Sequence, residues 1–186
     1  MKPAQALQPC SFVIFGATGN LSTNKLLPAL YHLEVKNRIQ ENMSFIAFSR
    51  REWGQEEWLA HMKLSLQSKL GAHFDGAVFE RFAARFCYVQ GELHDLEAYR
   101  SLVEVLGRPK CGACSNVVFY LAIKPTEFGA VINNLDAVGL NKPRGLHRVV
   151  VEKPFGEDIE SARMLNELLH RHFDEEQVFR IDHYLG

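Results

Sequence analysis

The chain has 186 residues and carries 21 Lys plus Arg against 22 Asp plus Glu, a formal net charge of −1. That balance excludes a general nucleic-acid binder or a polybasic membrane-surface protein, both of which need a strong excess of cations. Apolar residues make up 47%, which suits a globular core and not a disordered chain.

In chain order, the first nine residues lack an apolar signal core, so secretion is not expected. Ser11 to Phe15 is a short apolar run closed by glycine and reads as a buried strand. Asn20 to about Asn37 follows as a helix, with Pro28 as a potential kink. A second strand runs over Ser44 to Ser49. Helices are expected over Glu56 to Leu70 and about Ala77 to Ala84, then a third strand over Phe86 to Val89. Asp95 caps a helix to about Leu106.

The second half repeats this alternation. Strands are expected at Val117 to Ile123, Arg148 to Glu152 and Gln177 to Ile181. Helices are expected at Glu127 to Val138, stopped by Gly139, and at Asp158 to about Phe173. The regions Gly107 to Ser115 and Asn141 to Gly145 read as loops. The longest clean apolar run, Val117 to Ile123, is far short of the roughly 18 residues a spanning helix needs. Six strands alternating with helices predict an α/β fold: a doubly wound, mostly parallel, Rossmann-like sheet with helices on both faces.

The chemistry-bearing signals sit where strands end. The first strand runs into Gly16-Ala17-Thr18-Gly19-Asn20-Leu21, a tight turn in which glycines let backbone approach a pyrophosphate at a helix opening. Asn20 or Thr18 is placed to cap that helix. No Gly-Lys-Ser/Thr follows, so this is not a triphosphate P-loop. The second strand ends in Ser49-Arg50-Arg51, where an NAD-selective site would carry an acidic residue. An arginine there suits a 2′-phosphate, so the sequence favours NADP over NAD. Lys153 follows the fifth strand. Asp182 and His183 follow the sixth, and adjacent strand residues face opposite ways. His32, His61 and His73 read as surface residues, and His170 and His172 are not spaced to share a metal. The four cysteines, Cys10, Cys87, Cys111 and Cys114, read as reduced thiols of a cytoplasmic protein. The Cys111-x-x-Cys114 pair has no second pair at zinc spacing and precedes a strand, so it reads as two loop thiols.

Four segments in the same order resemble the glucose-6-phosphate dehydrogenase family, in its N-terminal coenzyme domain. They are Gly16-Ala17-Thr18-Gly19-Asn20-Leu21, Lys25-Leu26-Leu27-Pro28-Ala29-Leu30-Tyr31, Glu152-Lys153-Pro154-Phe155-Gly156 and Arg180-Ile181-Asp182-His183-Tyr184-Leu185-Gly186. The resemblance implies that Gly16, Ala17, Thr18, Gly19, Asn20, Leu21, Ser22 and Thr23 line the coenzyme pyrophosphate. It implies that Thr18 and Arg50 hold the 2′-phosphate, with a looser third-strand contact near Glu92 and Leu93. Lys153 would touch coenzyme and substrate, His183 and Tyr184 would bind the sugar phosphate, and Asp182 would orient a general-base histidine outside this chain. No metal is implied. The activity implied for the parent, a cytoplasmic homodimer or homotetramer, is oxidation of glucose 6-phosphate to its lactone with hydride transfer to NADP.

The whole chain, residues 1–186, would be the NADP-binding domain, with the β+α substrate and dimerisation domain absent. The fragment is then expected to bind NADP without turnover. Departures from the family pattern are Asn20 for an aspartate, Ser22 for an alanine and Lys124 for a common proline. A non-catalytic NADP-sensing module, or another sugar oxidoreductase with a Glu-Lys-Pro strand end, remain the alternatives.

Overall fold

The computed structural model describes residues 9–109, 111, 115–142, 147–152 and 159–181. Six parallel strands form one sheet in the order β3-β2-β1-β4-β5-β6. They are β1 (Cys10–Phe15), β2 (Ser44–Ser49), β3 (Phe86–Gln90), β4 (Asn116–Leu121), β5 (His147–Glu152) and β6 (Val178–Ile181). The helices are α1 (Leu27–Val35), α2 (Gln55–Leu70), α3 (Gly76–Ala83), α4 (Leu96–Leu106), α5 (Phe128–Ala137) and α6 (Ile159–His172). The predicted fold is therefore present, and the described sheet is wholly parallel.

The central strands are apolar because helices cover both their faces. Every residue of β2 is buried. On one face Ile14, Phe45 and Ala47 pack with Leu27 and Tyr31 of α1, Trp58 and Met62 of α2, and Phe82 of α3. On the other, Val13, Phe15 and Phe119 pack with Tyr99 of α4, Val131 of α5 and Leu169 of α6. The two helical triplets thus lie on opposite faces, and the chain changes face where it crosses from β3 to β4.

Local signals set several boundaries. Asp75 caps α3 by accepting from the N–H groups of Ala77 and Val78, and Asp95 caps α4 by accepting from that of Glu97. Gly139 closes α5 at φ 74°. The first helix runs without a break over residues 20–35, as expected, but its winding is not uniform. A π-turn over Ser22–Leu26 precedes α1. Pro28 comes directly after that π-turn, where the helical hydrogen-bond ladder is already irregular around its missing N–H.

The cysteine reading is corrected. Cys87 on β3 and Cys111 after α4 form a disulfide with a Cα–Cα distance of 5.7 Å. Both side chains are buried in the cluster beneath α4, where the returning loop meets the strand. Cys114 lies outside the described residues.

A candidate dinucleotide site at the strand reversal

The crevice lies where β1 and β4 are neighbours and their following helices diverge to opposite faces. Ligands of open α/β sheets occupy such a place, beyond the carboxyl ends of the strands. Gly16 follows β1 at φ 77°. A Cβ there would lie 2.6 Å from the Ala122 carbonyl oxygen and 2.7 Å from the Ile123 side chain. Both the dihedral and the space therefore demand glycine.

Hydrogen bonds sew this turn to the sheet. The N–H groups of Gly16 and Ala17 donate to the Phe48 carbonyl at 3.0 and 3.2 Å, and that of Gly19 to the Gly16 carbonyl at 2.9 Å. The helical segment opens at Asn20. The N–H groups of Asn20, Leu21 and Ser22 have no carbonyl one turn back within the helix, which is the condition for an anion at a helix opening.

The hydroxyls of the turn have distinct tasks. Ser22 is fully buried and donates to the Gly16 carbonyl at 3.0 Å. Thr23 donates to the Gly19 carbonyl at 2.9 Å. Both shape the turn from within. Thr18 shares a 2.7 Å hydrogen bond with Ser49, the last residue of β2. Neither Thr18 nor Asn20 is a side-chain cap, contrary to expectation, because Thr18 is drawn across to β2. Asn20 is exposed at the rim.

Beyond Ser49 the basic pair divides. Arg50 is exposed, with no ion-pair partner among the described residues. Arg51 is held. Its carbonyl accepts from the Tyr88 hydroxyl and the Trp53 N–H, each at 2.7 Å, and its N–H donates to the Ser49 hydroxyl at 3.4 Å. Its guanidinium lies 5.6 Å from the Trp53 ring centroid. Trp53 in turn packs on His61 at 4.9 Å, and His61 on the buried Trp58 at 6.3 Å. Burial, with Arg51 assisting, pushes the His61 pKa down. Burial raises that of Tyr88, against the opposing pull of Ser49 and Arg51. His61 is half-buried: its Nε2 is enclosed in the wall of this corner while part of the ring stays at the surface.

Past β3, Glu92 is exposed and Leu93 half-buried. The Leu93 carbonyl accepts from the Tyr99 hydroxyl at 2.9 Å and from the Asn134 amide at 3.0 Å, so α4 and α5 fix this loop jointly. A Cβ on Gly91 would collide with that of Ala98, so α4 can approach the strand end only over glycine. Gly16 to Thr23, Arg50, Glu92 and Leu93 accordingly follow the carboxyl ends of the neighbouring strands β1, β2 and β3. Lys153, Asp182, His183 and Tyr184 lie outside the described residues. The sequence reading missed the parts played by Ser49, Trp53, His61 and Tyr88. A tryptophan two residues after an arginine pair, and a tyrosine in the neighbouring strand, were the available signals.

The family described as "Glucose-6-phosphate dehydrogenase, NAD binding domain" matches residues 13–186. The chain belongs to the glucose-6-phosphate dehydrogenase family. It is 40% identical over 182 residues to glucose-6-phosphate 1-dehydrogenase 2 of Mycobacterium tuberculosis (strain CDC 1551 / Oshkosh), covering 96% of this chain and 35% of that protein. It is 38% identical over 174 residues to the glucose-6-phosphate 1-dehydrogenase of Borreliella burgdorferi, covering 94% and 34%. The crystal structure of the Mycobacterium avium enzyme superposes with TM-score 0.83 at 33% identity, covering 94% of this chain and 36% of that one. A structure of a glucose-6-phosphate dehydrogenase in complex with its substrate glucose-6-phosphate superposes with TM-score 0.84 at 32% identity, covering 97% and 38%. The chain thus spans about a third of the length of the relatives it matches. Among the described residues, no helix is long and apolar enough to cross a membrane.

Proposed function

We propose that this chain is the NADP-binding domain of a glucose 6-phosphate dehydrogenase, whose parent oxidises the sugar at C1 to the lactone. The observation that carries the coenzyme choice is Arg50, an exposed cation just past the end of β2, beside the Thr18–Ser49 hydroxyl pair. An NAD-selective site would present a carboxylate at that place, and a carboxylate would repel a 2′-phosphate. The fit of a dinucleotide is supported by the Gly16 turn, whose cradle a single Cβ would fill.

In this reading the backbone from Gly16 to Thr23 receives the pyrophosphate, and Thr18 and Arg50 receive the 2′-phosphate. Glu92 and Leu93 add a third-strand contact to the coenzyme. By the family resemblance, Lys153 contacts coenzyme and substrate, and His183 and Tyr184 hold the sugar phosphate. Asp182 orients a histidine base from the remainder of the parent, and that base takes the C1 hydroxyl proton. When bound, the coenzyme supplies the hydride acceptor. The β+α substrate domain would lie in the unmatched part of the relatives' length. The same reading makes the parent a homodimer or homotetramer.

Titration of this chain with NADP and NAD, on wild type and Arg50→Ala, tests the proposal. The variant is expected to lose roughly 1.5–3 kcal/mol of NADP binding and almost nothing for NAD. Equal losses for the two coenzymes would refute the assignment. So would lactone formation by this chain alone, for the claim that it binds without turnover.

A further inference from the structure

We propose that Trp53 is a positioning residue that holds Arg51 as a second cation for the coenzyme's 2′-phosphate, and so helps to set preference for a phosphorylated ribose. The inference rests on the nucleotide reading above and extends it to residues that reading does not use.

Arg51 is fixed at both ends. Its backbone is pinned by Tyr88, Trp53 and Ser49, and its guanidinium lies 5.6 Å from the Trp53 ring centroid. Among the described residues no carboxylate neutralises it. Arginine against an aromatic ring keeps its edge N–H groups available, because the ring engages the cation's face. The platform is itself anchored. Trp53 packs on His61, and His61 neighbours Trp58, which is fully buried among Phe86 and Tyr88.

Position completes the argument. Arg51 is two residues beyond Ser49, whose hydroxyl bonds to both Thr18 and the Arg51 N–H. One hydroxyl therefore ties the glycine turn, the strand end and the second arginine into a single corner. Arg50 is an untethered cation on the rim of that corner, and Arg51 a tethered one. A tethered guanidinium loses less rotamer freedom on meeting a phosphate than a loose one does.

The test compares adenosine 2′,5′-bisphosphate with AMP, which differ by the 2′-phosphate alone, by calorimetry on this chain. Arg51→Gln and Trp53→Ala are each expected to weaken the bisphosphate about 5- to 10-fold and to leave AMP within twofold. The double variant should be no worse than Arg51→Gln alone, and Trp53→Phe should restore most of the affinity. Additive losses, or equal weakening of both ligands, would overturn the proposal, since a merely structural Trp53 moves both alike. Should Trp53→Ala not fold, Arg51→Gln and Trp53→Phe decide it: unchanged bisphosphate affinity in Arg51→Gln rejects the idea. Wild-type protein showing no preference for the bisphosphate over AMP would instead sink the nucleotide reading, and this inference with it.

Discussion

His61 carries the corner's response to pH. Its pKa is held down by burial and by the nearby Arg51 cation, so the folded chain resists protonating it. The unfolded chain protonates it near the ordinary value of about 6.5. Stability from this group is therefore complete above that value and is lost as pH falls below it. Thermal unfolding at pH 7.5 and pH 5 should show a smaller acid-induced drop in Tm for His61→Asn than for wild type. An identical drop in both would remove His61 from the account. At the same scale, Gly16 was readable in the sequence because a positive φ and the lack of room for a Cβ leave a trace in residue type. Ser22 and Thr23 were readable only as members of the turn. That their hydroxyls point inward, to the carbonyls of Gly16 and Gly19, depends on a fold no local pattern encodes.

At the level of elements, the strands were legible because burial on both faces writes continuous apolar runs, and the α4 cap because Asp95 has a local hydrogen-bond duty. The π-turn before α1 was not, because it depends on how Ser22 and Thr23 anchor to the glycine turn. Nor was the clamp between α1 and α3. Glu34 is only 2% exposed and pairs with Arg81 at 2.6 Å and Arg85 at 3.0 Å. Arg85 also donates to the carbonyls of Gln40, Glu41 and Met43, so the same cation braces the approach to β2. Glu34→Ala should cost about 2–3 kcal/mol in urea unfolding, less than for a fully enclosed pair, because half-exposed Arg81 can return to water. A loss below about 0.5 kcal/mol would class the clamp with ordinary surface pairs. Gln55 shows a related device: its amide donates to the Phe86 carbonyl and accepts from the Tyr88 N–H, both at 2.8 Å, satisfying part of the β3 rim from α2.

Across the whole molecule, the count of six strands and the two-faced helical cover were legible from the alternation of periods, while the covalent link was not. Cys87 and Cys111 are separated by 24 positions, and only the return of the chain beneath α4 brings them together. Closing that loop should contribute about 3 kcal/mol by restricting the unfolded chain. In a domain of this size, Cys111→Ser is then expected to lower Tm by about 6–12 °C relative to the oxidised protein. Alkylation of unreduced, denatured protein followed by mass mapping should leave Cys87 and Cys111 unmodified; labelling at both would reject the bond.

The order of the strands also governs the sequence of events during synthesis. β1, β2 and β3 are complete before β4 leaves the ribosome, so a three-stranded half-sheet can assemble early with β1 as its bare inner margin. That margin is a row of unmet peptide groups until β4 arrives beside it. The glycine turn, which rests against Ala122 and Ile123 just past β4, cannot acquire its final shape before then. Nascent chains halted between the two halves would thus be sticky and unable to recognise a nucleotide, and both traits would vanish together once the central seam closes.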